Sequence, residues 1–120
     1  MQASDKKLMD TITHAIQEKK GRNIVIADLS GIEGAICKYF VICQGGSAHQ
    51  VDAIAGEVSD YTREQTGQKA IGVSGLENCI WVALDYGDAI VHIFQPEARD
   101  FYDLEHLWAD AKLTALPNID

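Results

Sequence analysis

The sequence is poor in proline and in cysteine. It has two prolines, Pro96 and Pro117, and no proline-rich or low-complexity stretch among its 120 residues. Neither a linker nor an internal repeat is evident, so the reading is one domain over residues 1–120, long enough to bury a core without cross-links. Its three cysteines, Cys37, Cys43 and Cys79, are odd in number and form no CxxC pair. That argues against a disulfide framework and against a zinc knuckle. Cys37 and Cys43 flank or lie in an apolar run and read as reduced, buried thiols. No apolar run approaches the ~20 residues that cross a bilayer. Met1 to Asp10 is polar and of mixed charge. It lacks the apolar segment of a secretory signal and the arginine-rich character of a transit peptide. The expectation is a protein that stays in the cytoplasm where it is made, with no membrane contact.

Positive charge is also scarce. Ten Lys and Arg stand against 18 Asp and Glu, a net charge of −8. Bare nucleic acid repels such a chain, which has few cations to displace phosphate counterions. No direct sequence-specific nucleic-acid binding is expected, and on a ribonucleoprotein the natural dock is a basic protein. The charge is uneven. From Asp85 to Asp110 seven acids (Asp85, Asp88, Glu97, Asp100, Asp103, Glu105, Asp110) face one base, Arg99, a net of −6. A cationic partner would be drawn there.

What is present is a globular composition, 47% hydrophobic and 23% charged, with helical and strand periods in alternation. Ser4 can cap a first helix carrying Leu8, Met9, Ile12, Ala15 and Ile16, which Gly21 ends. Asn23 to Leu29 reads as a strand, and Lys38 to Cys43 as a second, apolar on both faces and so central. Ser47 with Gln50 makes a capping box for a second helix from about Ala48 to Gln65. Lys69 to Ser74, Ile80 to Leu84 and Ala89 to Gln95 follow as strands, the last two joined through Asp85-Tyr86-Gly87-Asp88. Pro96 can open a third helix whose apolar stripe would be Phe101, Leu104, Leu107, Trp108 and Ala111. Residues after Leu113 read as frayed. The order αββαβββα gives a mixed α/β fold: one five-stranded sheet covered by helices, with a parallel crossover through the second helix to the third strand.

Few constellations carry chemistry. Gly45-Gly46-Ser47 lies between a strand and a helix start, where backbone amides could hold a phosphate. It lacks the GxxxxGK[ST] lysine, and the next strand, Lys69 to Ser74, carries no acid for magnesium. Asp85 and Asp88 could hold a cation, act as an acid–base pair, form a tight turn, or recognise a partner. His14, His49, His92 and His106 show no ligand spacing. His92 shares a strand face with Ile90 and Phe94 and reads as buried and hydrogen-bonded. Trp81 shares its face with Ala83 and Asp85, a large aromatic beside a carboxylate. It is either an interface anchor or packed under a helix. Trp108 reads as core, and Glu97, Asp100 and Asp103 suit the positive end of the last helix.

Taken in order, the motifs resemble one family. Tyr39-Phe40-Val41-Ile42-Cys43, Gly45-Gly46-Ser47, Gln50-Val51 and Ala53-Ile54-Ala55 are similar to the middle of the ribosomal silencing factors, also called Iojap-like proteins. Gly75, Trp81, Leu84 to Asp88, Val91 to Phe94, Arg99 and Phe101 to Ala111 resemble that family's C-terminal signature. The resemblance implies a nucleotidyltransferase-like core without catalytic acids, and no catalytic residue, metal or cofactor. It implies a homodimer that binds the large ribosomal subunit through ribosomal protein fourteen. There it would block joining of the small subunit and repress translation when nutrients are scarce. The partner-binding residues would be Trp81, Asp85, Tyr86, Asp88, Arg99, Tyr102 and Glu105. Trp81 and Tyr86 would be apolar anchors, and the acids would meet lysines and arginines. The alternative is a nucleotide-dependent transferase using the Gly45-Gly46-Ser47 loop.

Overall fold

The computed structural model describes residues 2–108 and 110–119. The first helix, α1 (Ala3–Glu18), turns Leu8, Met9, Ile12, Ala15 and Ile16 inward, one stripe at helical spacing. Its N-cap is Gln2 rather than Ser4, which falls inside the first turn. Gly21 follows the helix because a Cβ there would come 2.4 Å from Ile16 Cγ2. Two antiparallel strands come next, β1 (Arg22–Asp28) and β2 (Tyr39–Gln44). The second helix, α2 (Ala48–Thr66), begins at Ser47, whose hydroxyl accepts from the Gln50 amide at 3.1 Å. It ends at Gly67 with φ of 75°, a left-handed cap that glycine adopts without strain.

Three strands follow: β3 (Gly72–Ser74), β4 (Trp81–Asp85) and β5 (Ala89–Phe94). Then come two short helices, α3 (Pro96–Tyr102) and α4 (Leu104–Leu107), and a last strand, β6 (Lys112–Ala115). The sheet therefore has six strands, in the order β3-β4-β5-β2-β1-β6. β6 pairs antiparallel with β1, from Val25↔Ala115 to Asp28↔Lys112. The expected fraying after Leu113 is thus corrected in part: Thr114 and Ala115 belong to this edge strand, and the Leu116 amide donates to the Ile24 carbonyl at 2.9 Å.

The parallel pairing also differs from expectation. β2 runs parallel to β5, not to β3. The composition explains it. β5 is buried on nearly every residue and so belongs beside β2 at the centre, whereas Gly72-Val73-Ser74 is exposed throughout and takes the edge. The third helix is a further correction. The chain breaks at Asp103, where φ is 49° and ψ is 53°. The stripe drawn from Phe101 to Ala111 therefore does not share one face. Leu104 is buried, but Phe101 is 81% and Leu107 70% exposed.

The sheet divides two cores. On one face α1 and α2 cover Tyr39, Val41, Cys43, Val82, Leu84, Val91 and Ile93. On the other face Phe40, Ile42 and Phe94 pack with Ala98, Leu104 and the partly buried Trp81 and Trp108. This second cover is short. It leaves part of β3, β4 and β5 uncovered by any helix.

Candidate partner-binding face

Strand pairing sets the uncovered area. Ser74 lies opposite Ala83, Gly72 opposite Asp85, and Trp81 opposite Phe94. On the second face these residues form a strip running from Trp81 to Asp85, about 13 Å at strand rise. Its floor is small: Gly72 and Ser74 are exposed, and Ala83 is half-buried. A sheet face with a glycine, a serine and an alanine offers a flat surface to a partner's side chains.

An aromatic cluster closes one end. Trp81 lies 4.9 Å from Phe94, nearly parallel, and 4.7 Å from Tyr102 of α3. Its Nε1–H donates to His92 Nδ1 at 3.0 Å. Tyr102 is 48% exposed, and Phe101 stands edge-on to it at 5.1 Å. Trp81 is therefore packed beside a helix and only partly buried, which fits the packed reading drawn from the sequence and leaves an edge of the ring open. His92 is buried and hydrogen-bonded, as its strand position predicts, and burial pushes its pKa down to about 4.

Carboxylates mark the other end. Asp85 Oδ1 accepts from the Gly87 amide at 2.8 Å, and the Tyr86 amide donates to the Ala89 carbonyl at 2.8 Å. Gly87 has φ of 84°. This is a tight turn in which aspartate and glycine do their ordinary work. Asp88 is exposed, and Lys38 Nζ lies 3.9 Å from its Oδ1 and 3.5 Å from Asp5 Oδ2. One lysine thus ties the hairpin to the first turn of α1. Among the described residues no three His, Cys, Asp or Glu side chains are grouped to hold a metal ion.

Two residues marked from the sequence stand elsewhere. Tyr86 is 6% exposed and belongs to the core under α2, its hydroxyl facing those of Thr62 and Ser59. It continues the inward alternation of Val82 and Leu84, so it is no surface anchor. Arg99 is also buried. Its Nη1 donates to the Asn23 carbonyl at 2.6 Å and to Gln44 Oε1 at 3.3 Å, and Nε lies 3.4 Å from Glu105 Oε1. Arg99 and Glu105 fasten α3 and α4 to the ends of β1 and β2. They hold the cover that carries Tyr102, with Arg99 buried and Glu105 partly exposed. The structure thus brings Trp81, Asp85 and Tyr102 to one face with Asp88 at its end. Phe101, which the sequence assigns to the core, joins them at the aromatic end. The helix break at Asp103 decides that, and an aspartate in left-handed conformation has no strong sequence signal.

The glycine loop is engaged internally. The Gly45 amide donates to the Phe94 carbonyl at 2.9 Å and the Gly46 amide to Gln50 Oε1 at 2.7 Å. Gln50 Nε2 donates in turn to the carbonyls of Lys19 and Lys20, at 3.3 and 3.1 Å. Two amides that could cradle a phosphate are taken, and the loop serves to join α2 to the end of α1. Two of the thiols are interior, Cys43 and Cys79, whereas Cys37 is only partly buried, and burial pushes the Cys43 pKa up to about 12.

Comparison with known proteins adds a name for what this chain is similar to. A family model described as "Ribosomal silencing factor during starvation" matches residues 2–120. A ribosomal silencing factor of Halalkalibacterium halodurans is 36% identical over 116 residues, 97% of this chain and 97% of the relative. One from Bacillus subtilis is 35% identical over 113 residues, 94% of each. A crystal structure of a protein from Chromobacterium violaceum superposes with a TM-score of 0.81 at 29% identity, covering 94% of this chain and 92% of that one.

Proposed function

Because this chain belongs to the ribosomal silencing factor family, we propose that it binds the large ribosomal subunit through ribosomal protein fourteen and blocks joining of the small subunit. Translation would fall under nutrient limitation as a result. The observation that carries this reading is the half-open sheet strip between Trp81 with Tyr102 at one end and Asp85 with Asp88 at the other. A flat floor flanked by aromatic anchors and carboxylates fits a basic protein surface. The aromatic rings supply affinity by desolvation, each central anchor contributing about 2 kcal/mol or more. The acids speed encounter and fix orientation. Once this face is occupied, the body of the protein stands where the small subunit would approach, so inhibition is steric and needs no chemical step. The free protein is a homodimer in the cytoplasm.

The test is direct binding of purified variants to isolated large subunits. Trp81→Ala is expected to raise the dissociation constant by about thirtyfold, the equivalent of one central aromatic anchor. Asp88→Lys is expected to raise it by several-fold, an effect that shrinks as salt screens the charges. Wild-type binding by both folded variants would place the partner on another surface. No observation favours the nucleotide-dependent transferase, since the loop it needs gives its Gly45 and Gly46 amides to Phe94 and Gln50.

A further inference from the structure

His92 is placed where folding alone would favour another residue. It sits at the middle of β5, opposite Ala83 on one side and Ile42 on the other. Phe40 meets it edge-on at 4.6 Å, and Phe94 lies nearly parallel at 6.2 Å. It is 6% exposed. Its Nδ1 accepts from the Trp81 indole at 3.0 Å, so in the neutral ring the proton is on Nε2. That nitrogen is buried, and among the described residues nothing accepts from it. A buried N–H without an acceptor destabilises the fold, and an apolar side chain of similar size would avoid the loss among these neighbours. What no apolar side chain could supply is the acceptor for Trp81 Nε1.

We propose that His92 is a positioning residue of the partner face: it holds the Trp81 indole by its N–H, so that the ring stays packed against Phe94 and Tyr102 and meets the partner already oriented. This rests on the reading above that Trp81 touches the partner. The two hydrogen-bonded rings lie on adjacent strands, and the indole has contacts on two further sides. A ring held in this way loses little rotational freedom on binding, which is how a preformed anchor gains affinity.

The proposal is tested with His92→Leu and His92→Asn, each in a Trp108→Phe background where Trp81 is the one tryptophan and is excited selectively at the red edge. Leucine removes the acceptor and the unpaired N–H together. Asparagine keeps an acceptor oxygen close to the Nδ1 position. The expected result for His92→Leu is an unchanged or higher melting temperature, faster local depolarisation of Trp81 fluorescence, and about tenfold weaker binding to isolated large subunits. His92→Asn is expected to recover most of that affinity. A folded His92→Leu protein that binds as tightly as the parent would overturn the proposal. So would an affinity loss that tracks a fall in melting temperature and that asparagine does not restore. Trp81→Ala, measured alongside, separates the two claims. If it too binds normally, the partner face itself is misplaced and this role falls with it. If it binds poorly while His92→Leu binds normally, only the role of His92 is wrong.

Discussion

Arg99 Nε lies 3.4 Å from Glu105 Oε1, and the same guanidinium donates to the carbonyl of Asn23, 76 residues away in sequence. One buried side chain thus joins α3, α4 and the starts and ends of two central strands. Arg99→Leu would leave Glu105 without its cation and two oxygens without a donor. The expected loss is about 3 kcal/mol in urea unfolding, as for one half of a buried pair. Glu105→Gln keeps the geometry, and its loss should be on the order of 1 kcal/mol. Equal, small effects from both would mean that the cluster does not hold the helical cover.

Gln50 offers a second check on the fold. Its side chain accepts from the Gly46 amide and donates to two carbonyls at the end of α1. Gln50→Ala removes these bonds and is expected to lower stability by about 1–2 kcal/mol. Hydrogen exchange should rise at Gly46 and at residues 19–21 more than in the sheet. A uniform rise would assign the loss to global unfolding.

Gly75 is the position least tolerant of a side chain. Its φ is 92°, and a Cβ would come 2.0 Å from the Trp81 carbonyl oxygen. Gly75→Ala must therefore displace the backbone at the first residue of β4. The expected cost is at least about 2 kcal/mol, with a changed near-ultraviolet spectrum reporting movement of Trp81. A melting curve like that of the parent would show that the β3–β4 connection yields easily.

The pH dependence of stability has a defined window. His92 titrates near 6.5 when unfolded and at about 4 in the folded protein, because burial opposes its charge. Above pH 6.5 the ring is neutral in both states and no proton uptake opposes folding. As pH falls toward 4 the unfolded chain gains a proton that the folded protein refuses. Stability is lost across that interval, by up to about 3 kcal/mol. Urea midpoints measured between pH 7 and 4 should fall for the parent and fall less for His92→Leu. Parallel slopes in the two proteins would contradict the assignment.

The sequence carried the fold where burial follows a regular period. α1 and α2 have one apolar stripe each. β2 is apolar on both faces. The Ser47–Gln50 cap and the Asp85–Asp88 turn have the residues their geometry requires. β6 was out of reach for a physical reason. Lys112-Leu113-Thr114-Ala115 is exposed on every residue, and it is set by pairing with β1 far back in the chain. The break at Asp103 split an apolar pattern that suits one longer helix, and it moved Phe101 and Leu107 to the surface. Of the residues marked from the sequence, Trp81 and Asp85 share a strand face by alternation, and Tyr102 packs against Trp81. Tyr86 was misplaced, although the alternation Val82, Leu84, Tyr86 points it inward. The burial of Arg99 was not legible, since a lone base among seven acids does not reveal that it is buried.

The central claim is tested most directly by sedimenting the purified protein with separated ribosomal subunits and then adding the missing one. The account predicts that the protein migrates with the large subunit and not the small one. It also predicts that small subunits added afterwards fail to form joined particles. A protein that stays at the top of the gradient at low and moderate salt, or that migrates with large subunits which still join normally, would contradict it.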